Sequence, residues 1–565
     1  MNVLSYGKPF FIGYAPLELY RGRHDVRTLG GHPERPYAFD YVFDPAGDSL
    51  TDILGRMRDW CPDLFVCWIP EDYPPPISVE DAPVRTVATV SDWNLHYRKL
   101  EKNLGRYDVV LCDAPGVEVL RSEWVRPEHF FPLYSIDSRH HHPYPGEKDL
   151  DVVFVGGFNH VVRPERAHFL ERLAKMAERY RIRIATGYKD EAYSRLLSRA
   201  RIVFNHGVRG EINCRVLETM ACGSLAVIEE DNAGAGQWFE DGRDVVLFNG
   251  DNFEERIQHY LEHPEEVQAI AARGHARAHE FAGENRLDEL IEFAAGHPSS
   301  GRRFHELPPL EQDYETLAML QYSFLSSCRA REKRLMERLL DERPDDARAW
   351  TALGVYLFNQ HLTTADESQR ATLRLHAFSE AHRLDPDSAP RAVNAAYIHR
   401  LHRMGREESD CLEAVLDGGT LDGAGDVIGD YSCRFWLRWR LAYARKTARL
   451  EMLQAEAHLR LAAIEARHGR HAVAEGHIVE AADLDPDNLN GVTILAEAQW
   501  ATGRREEAVE TLEAHLPDHP FRPEYRLRLC EMLEAVGRLY EAKALAGESD
   551  LILSRCEVGP DNLAE

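Results

Sequence analysis

The sequence predicts two successive α/β domains, each a doubly wound parallel sheet, followed by an all-α solenoid of helix pairs. Three observations carry this expectation. Over residues 1–295, short apolar or β-branched runs alternate with amphipathic segments of helical period, as in a parallel sheet covered by helices on both faces. Residues 136–150 and 296–310 interrupt that alternation with Pro, Gly and charge. Beyond residue 310 the strand-like runs stop, and Gly469, Gly503 and Gly537 recur at intervals of 34 residues, each followed by Arg. The divisions are therefore an α/β domain over 1–148, a second over 149–295, a linker over 296–311 and a helical-repeat domain over 312–565.

In the first domain the predicted strands are NVLS, DVRTLG, YVFD, LFVCW, RTVATVSD, DVVLCD and FFPLY, with helices over 50–60 and 95–104. Ligands of such sheets bind at strand carboxyl ends, here residues 5–7, 70–72, 91–94 and 113–116. Asp92 ends an apolar run and precedes Trp93, Asn94 and His96, which makes Asp92 and His96 the candidates for a base that removes a hydroxyl proton. Ser91-Asp92 equally fits an ordinary helix N-cap. Glu71 and Asp72 stand before three prolines and fit a surface loop. Residues 136–150 read as a solvated hinge. In an extended chain only His140 and His142 share a face, and no acidic or Cys partner is spaced to complete a metal site.

The second domain opens with DVVFVGG, whose Gly156 and Gly157 let backbone approach a ligand closely. Arg163 and Arg166 flank the start of the next helix, where a guanidinium can reach a phosphate, and Lys189 follows IRIATG. IVFN, ending at Asn205, then enters a glycine-punctuated loop, a helix over Cys214–Ala221, a stop at Gly223 and the strand LAVIE. A helix N-terminus at a strand's carboxyl end attracts anions through its free N–H groups and its dipole. Arg215 in the first turn suits phosphate oxygens, and Glu218 one turn later suits paired sugar hydroxyls. Residues 232–237, with Gly234, form a second glycine loop. This set suggests a nucleotide-sugar pocket. The alternative is a generic α/β unit in which Arg215 and Glu218 pair with each other.

The spacing N-x-R-x-x-E-x-x-A-x-G, here Asn213, Arg215, Glu218, Ala221 and Gly223, resembles the donor half of GT-B glycosyltransferases of the CgeB-like branch. The likeness extends through VVFVGGF upstream and WFEDGRDVVLF downstream, and weakens over the first domain. It implies two Rossmann-like domains and a nucleotide-sugar donor, with Asn213, Arg215, Glu218 and Arg166 on the family's positions; together with the reading above, the candidate donor contacts are Gly156, Gly157, Arg166, Lys189, Asn205, Asn213, Arg215, Glu218 and Gly234. Glu211 and Glu218 are one residue closer than the Glu-x7-Glu pair of many retaining members. No D-x-D with a supporting His ends a strand, and the resemblance implies that no bound metal is needed; Arg215, the helix N-terminus and Arg166 or Lys189 would meet the phosphate charge.

The repeats resemble tetratricopeptide (TPR) units. Ala462, Gly469, Ala474 and Pro486 are matched one unit later by Ala496, Gly503, Ala508 and Pro520, with Ala481 a further small residue of the first unit, placing small residues where paired helices touch and Pro after the second helix. Gly405 begins a weaker unit, and Trp350, Gly354, Ala381 and Pro386 an earlier one. Roughly six helix pairs stack into a solenoid whose concave face holds an extended peptide.

Composition narrows the function. A net charge of −27 argues against a nucleic-acid partner. The ten cysteines show no ligand spacing and read as buried thiols. No apolar run is long enough to span a bilayer, and no signal-peptide pattern opens the chain, so a cytoplasmic location is expected. The joint reading is a glycosyltransferase whose repeats recruit a protein acceptor, flagellin or another surface protein. The alternatives are a glycan or lipid-linked acceptor with the repeats as a partner scaffold, and a non-catalytic nucleotide-sugar-binding scaffold.

Overall fold

A computed structural model describes the chain apart from residues 8–19, 21, 31–38, 45–46, 131–132, 134, 159–163, 209, 323–327, 360–366, 422–445, 486–487, 518–521 and 559–565. The chain divides into two compact units. Met1–Asn94, Leu104–Phe304 and Gly547–Glu565 make the first; Leu95–Asn103 and His305–Ala546 make the second.

The first unit holds two parallel sheets. One runs in the order β3-β2-β1-β4-β5-β6-β7. Its strands are β1 (Asn2–Tyr6), β2 (Asp25–Gly30), β3 (Tyr41–Val42), β4 (Leu64–Trp68), β5 (Arg85–Thr89), β6 (Val109–Cys112) and β7 (Pro127–His129), and its helices include α1 (Leu50–Arg56) and α3 (Ala114–Leu120), while α2 (Trp93–Leu100) starts in this unit and from Leu95 belongs to the second. Central β4 is buried along its whole length, as its unbroken apolar run requires. Ser49 caps α1 by accepting from the Asp52 N–H at 3.0 Å. The edge strand β7 precedes FFPLY, where a strand was expected; Phe131, Pro132 and Tyr134 lie outside the described residues.

The second sheet runs β12-β11-β10-β8-β9-β13. In chain order it comprises β8 (Leu150–Val155), α4 (Pro164–Lys175), β9 (Ile182–Thr186), α5 (Asp190–Ser198), β10 (Ala200–Phe204), α6 (Cys214–Ala221), β11 (Leu225–Glu229), α7 (Ala235–Trp238), β12 (Val246–Phe248), α8 (Phe253–Glu262), α9 (Pro264–Ala278), α10 (Gly283–Gly296) and β13 (Cys556–Val558). Phe204 anchors one face of the sheet, its ring centroid 5.4 Å from Phe253, 5.5 Å from Phe248 and 5.9 Å from Phe154.

Two segments depart from the sequence reading. The expected linker over 296–311 is fastened to the first sheet: Arg302 donates to the carbonyls of Glu80, Ala82 and Val84 at 2.6–2.9 Å and to Asp108 Oδ2 at 2.7 Å. A guanidinium with five donors can hold several carbonyls at once, which local composition does not reveal. The strand β13, placed by sequence inside the helical region, pairs in parallel with β9, Cys556 opposite Ile184. Its apolar content is too short to announce a strand.

The second unit is helical. Its helices include Pro309–Tyr322, Arg329–Glu342, Ala347–Asn359, Glu367–Leu384, Ala389–Leu401, Gly405–Leu416, Lys446–Arg467, His471–Leu484, Leu489–Ala501, Arg505–His515 and Pro523–Ala535. Ala462, Ala474, Ala481, Ala496 and Ala508 are all buried, as the repeat spacing requires. Gly469, Gly503 and Gly537 take left-handed φ of +75°, +84° and +85° just past a helix end, so the 34-residue period marks C-terminal caps. In the earlier unit that conformation falls on Arg403, at φ +60°, while Gly405 opens the next helix. Pro486 and Pro520 lie outside the described residues. Among the described residues no helix is long and apolar enough to cross a membrane.

Candidate functional site

The site forms where β10 hands over to α6. Asn213 caps the helix in extended conformation (φ −98°, ψ 168°), its side chain accepting from the Arg215 N–H at 3.2 Å. Val216, Leu217, Met220 and Ala221 turn inward against Ile228, Phe239 and Phe281, which fixes the helix over the sheet. Gly223, at φ +71°, ends it before β11.

Arg215 does not pair with Glu218 among the contacts described. Its Nη1 donates to Asn205 Oδ1 at 2.8 Å, and its guanidinium lies 4.7 Å from the Phe154 ring centroid. A Cβ at position 156 would come within 2.4 Å of Arg215 Nη2, so glycine there leaves room for the guanidinium. Arg166 donates from Nε to the His206 carbonyl at 2.8 Å, and its guanidinium lies 5.8 Å from the same Phe154 ring. Around this group three buried nitrogens have no hydrogen-bond partner among the described residues: Arg215 Nε, Asn205 Nδ2 and Asn213 Nδ2.

Glu218 is buried and held from two directions. The Tyr193 hydroxyl donates to Oε2 at 2.6 Å, and His141 Nε2 lies 3.8 Å from Oε1. Because the Asp137 N–H donates to His141 Nδ1 at 3.1 Å, the ring hydrogen of neutral His141 sits on Nε2, facing the carboxylate. This corrects the solvated-hinge reading of 136–150: Ile136, Asp137 and His141 are buried, with the Ile136 N–H donating to Phe281 O at 3.2 Å. Burial, and then the neighbouring Glu218 charge, raise the Tyr193 phenol well above its ordinary range.

A second group gathers carboxylates from both sheets. Glu71, expected on a surface loop, is fully buried, and its Oε1 accepts from the N–H groups of Ser91 and Asp92 at 2.8 and 2.9 Å. Burial, then the charges of Asp72 and Asp92, push Glu71 up to about 7. Asp113 accepts from Gly116 N–H and Trp93 Nε1 at 2.8 Å each, and burial brings it to about 6. Glu211 accepts from Asn94 Nδ2 at 2.9 Å; burial first, then Asp92 and Asp113, raise it well above the carboxylate range, while Arg166 and Asn94 oppose the rise. Asn94 thus ties the end of the first sheet to the donor-side loop. Glu229, at the end of β11, accepts from Gly207 N–H at 2.6 Å and Asn232 Nδ2 at 2.9 Å, and the same Asn232 nitrogen donates to Glu211 O at 2.7 Å.

Of the sequence candidates, Gly156, Arg166 and Arg215 meet at Phe154, Asn205 accepts from Arg215, and Asn213 caps the helix that carries Arg215. Gly157 is exposed at the end of β8, and Lys189 is exposed immediately before α5. Gly234 opens α7, its N–H donating to Asn232 Oδ1 at 3.3 Å. Asp92 precedes α2 beside Glu71, whereas His96 is buried at a kink in α2 and groups with the helical unit. Arg163 lies outside the described residues. Sequence reasoning missed Tyr193, Phe154 and Glu229. Glu229, a carboxylate closing an otherwise apolar run at a strand's carboxyl end, carried the signal that could have found it.

Residues 163–292 match the model of the glycosyl transferase-like family, and residues 465–533 match that of the tetratricopeptide repeat. The chain therefore carries a glycosyltransferase-type domain and TPR units, as the two resemblances imply. Among solved structures, similarity extends to a sucrose-phosphate synthase from Thermosynechococcus elongatus (13% identity, 52% of this chain and 100% of that one, TM-score 0.38). It extends also to the pneumococcal O-GlcNAc transferase GtfA in complex with UDP and GlcNAc (14% identity, 41% and 56%, TM-score 0.31). The type IV pilus biogenesis factor PilW matches at 15% identity over 44% of this chain and 100% of that one, with a TM-score of 0.30. No curated protein sequence matches the chain.

Proposed function

We propose that the glycosyltransferase-type half transfers a sugar from a nucleotide-sugar donor to a hydroxyl of a protein acceptor recruited by the TPR units. The observation that carries the donor assignment is the trio of buried, unpartnered nitrogens at the start of α6, Arg215 Nε, Asn205 Nδ2 and Asn213 Nδ2. A buried donor left unmade costs about 1–3 kcal/mol. The oxygens of a pyrophosphate would satisfy all three, with charge assistance from Arg215 and the helix dipole. Phosphate charge is thus met by protein cations without a metal. Glu218, oriented by Tyr193 and His141, accepts from sugar hydroxyls.

In the transfer, the acceptor hydroxyl oxygen bonds to the anomeric carbon as that carbon's bond to the phosphate oxygen breaks. The nucleoside diphosphate leaves with the bonding pair, and the acceptor proton passes to Asp92, at the end of the run that forms β5. Helical repeats suit the grip of an extended peptide, which favours a protein acceptor such as flagellin or another surface protein.

Calorimetry with a panel of UDP-, GDP- and dTDP-sugars tests the donor site. One nucleotide class is expected to bind the native chain and to bind Asn213→Ala more weakly; absence of binding across the panel, or equal binding by the variant, overturns the assignment. Intact-mass comparison of cellular proteins with and without the gene tests the acceptor: a protein lighter by one sugar identifies it, and an unchanged protein mass profile argues for a non-protein acceptor.

A further inference from the structure

The junction of α8 and α9 carries a side-chain group that the donor and acceptor chemistry leaves unused. His259 lies in the last turn of α8, His263 separates the helices, and Glu266 lies in the first turn of α9, after Pro264. One ligand atom from each lies within 4.8 Å of the other two, and no other group of three or more His, Cys, Asp or Glu does so among the described residues.

The details suit a metal ion. His259 Nε2 is 3.2 Å from Glu266 Oε2, close to the roughly 3.3 Å separating two ligands on a tetrahedral ion with bonds near 2.0–2.1 Å. His263 Nδ1 is 2.7 Å from the His259 carbonyl oxygen, so that nitrogen donates and Nε2 keeps its lone pair for a metal. A backbone carbonyl holding the second ring nitrogen is the usual means of orienting a metal-ligating histidine. The two rings stack with centroids 4.3 Å apart. The side chains of His259 and Glu266 are half exposed, which leaves room for a water as fourth ligand.

We propose that His259, His263 and Glu266 form a site for a divalent transition metal of the zinc class, which fastens α8 to α9. Among the described residues, two histidine pairs offer two ligands each: His275 and His279, with Nε2 atoms 3.3 Å apart, and His458 and His477, with Nδ1 atoms 2.9 Å apart.

The test is titration of the metal-stripped full chain with zinc chloride by calorimetry, beside the single variants His259→Ala, His263→Ala and Glu266→Gln and the control His275→Ala. The expected result is one tight equivalent, weakened at least about tenfold by either histidine variant and less by Glu266→Gln, with His275→Ala unchanged. Zinc should also raise the thermal midpoint of the native chain and not that of His263→Ala. Replacement by cobalt should give visible bands without the near-ultraviolet absorption of a thiolate. No zinc binding by the native chain, an unchanged tight equivalent in both histidine variants, its loss in His275→Ala, or a thiolate band would each overturn the proposal.

Discussion

Arg215 is tied to Asn205 at 2.8 Å and not to Glu218, whose carboxylate is taken instead by the Tyr193 hydroxyl at 2.6 Å. The two charged residues of α6 are therefore independently anchored, and each can meet a different part of one ligand. Replacing Arg215 removes a charge-assisted donor without opening a core cavity. Arg215→Met is expected to weaken nucleotide-sugar binding by about 10- to 100-fold while changing stability little. Calorimetry and urea unfolding on the same samples separate the two effects.

Tyr193→Phe leaves the buried Glu218 carboxylate short of a partner. The expected loss is about 1–3 kcal/mol in urea unfolding. Adding Glu218→Gln should recover part of it, because the amide is easier to bury than the charge. A fully additive double mutant would mean that the two side chains act separately.

Glu71 supplies a pH dependence. Its folded-state value, about 7, lies above the ordinary 4.5, so the folded chain holds a proton that the unfolded chain has released. The associated stability is fully present below about pH 4.5 and is lost as pH rises through about 7, on the order of 3 kcal/mol. Glu71→Gln keeps an oxygen for the Ser91 and Asp92 N–H groups and removes the titration. The variant should gain on the native chain between pH 5 and 8; parallel unfolding curves would refute this. Some slope remains, since Asp113 and Glu211 are raised in the same direction.

The alternation of apolar runs and helical segments was enough to read both sheets, because buried parallel strands need continuous apolar sequence. The spacing of Asn213, Arg215 and Glu218 was legible because one cap and one helix turn fix it locally. What joins the site across the fold was not: Asn94 meets Glu211 117 residues away, and Tyr193 meets Glu218 from another helix. Glu71 reads as surface because a carboxylate is rarely buried, and the Ser91 and Asp92 N–H groups and the Ser91 hydroxyl, all donating to Oε1, show how this one is held. Arg215 and Glu218 have separate partners, Asn205 and Tyr193, in place of the direct pairing that their spacing equally allows.

The repeat caps predict a stabilising change. Arg403 is exposed and holds φ +60°, the conformation that glycine supplies at 469, 503 and 537. A left-handed non-glycine residue costs roughly 1–2 kcal/mol. Arg403→Gly is expected to raise stability by about 1 kcal/mol, seen as a higher thermal midpoint. A lower midpoint would show that the Arg side chain contributes more than the strain removes.

The last prediction concerns β13. The Ile184 N–H donates to the Arg555 carbonyl at 3.1 Å, and Cys556, Glu557 and Val558 stand opposite Ile184, Ala185 and Thr186. Ending the chain at Ser554 removes these partners and makes β9 an edge strand, while the Lys175–Glu548 ion pair at 2.6 Å is retained. Hydrogen exchange at Ile184 should accelerate roughly tenfold or more, the change expected for losing a hydrogen bond worth about 1 kcal/mol together with local pairing. Val203, in β10 between β8 and β11, is the internal control and should keep its protection. A newly bare edge also favours strand pairing between molecules, so light scattering should rise with concentration for the shortened chain only. If Ile184 keeps its protection, the β9 edge is held without β13 and the strand is dispensable to the sheet.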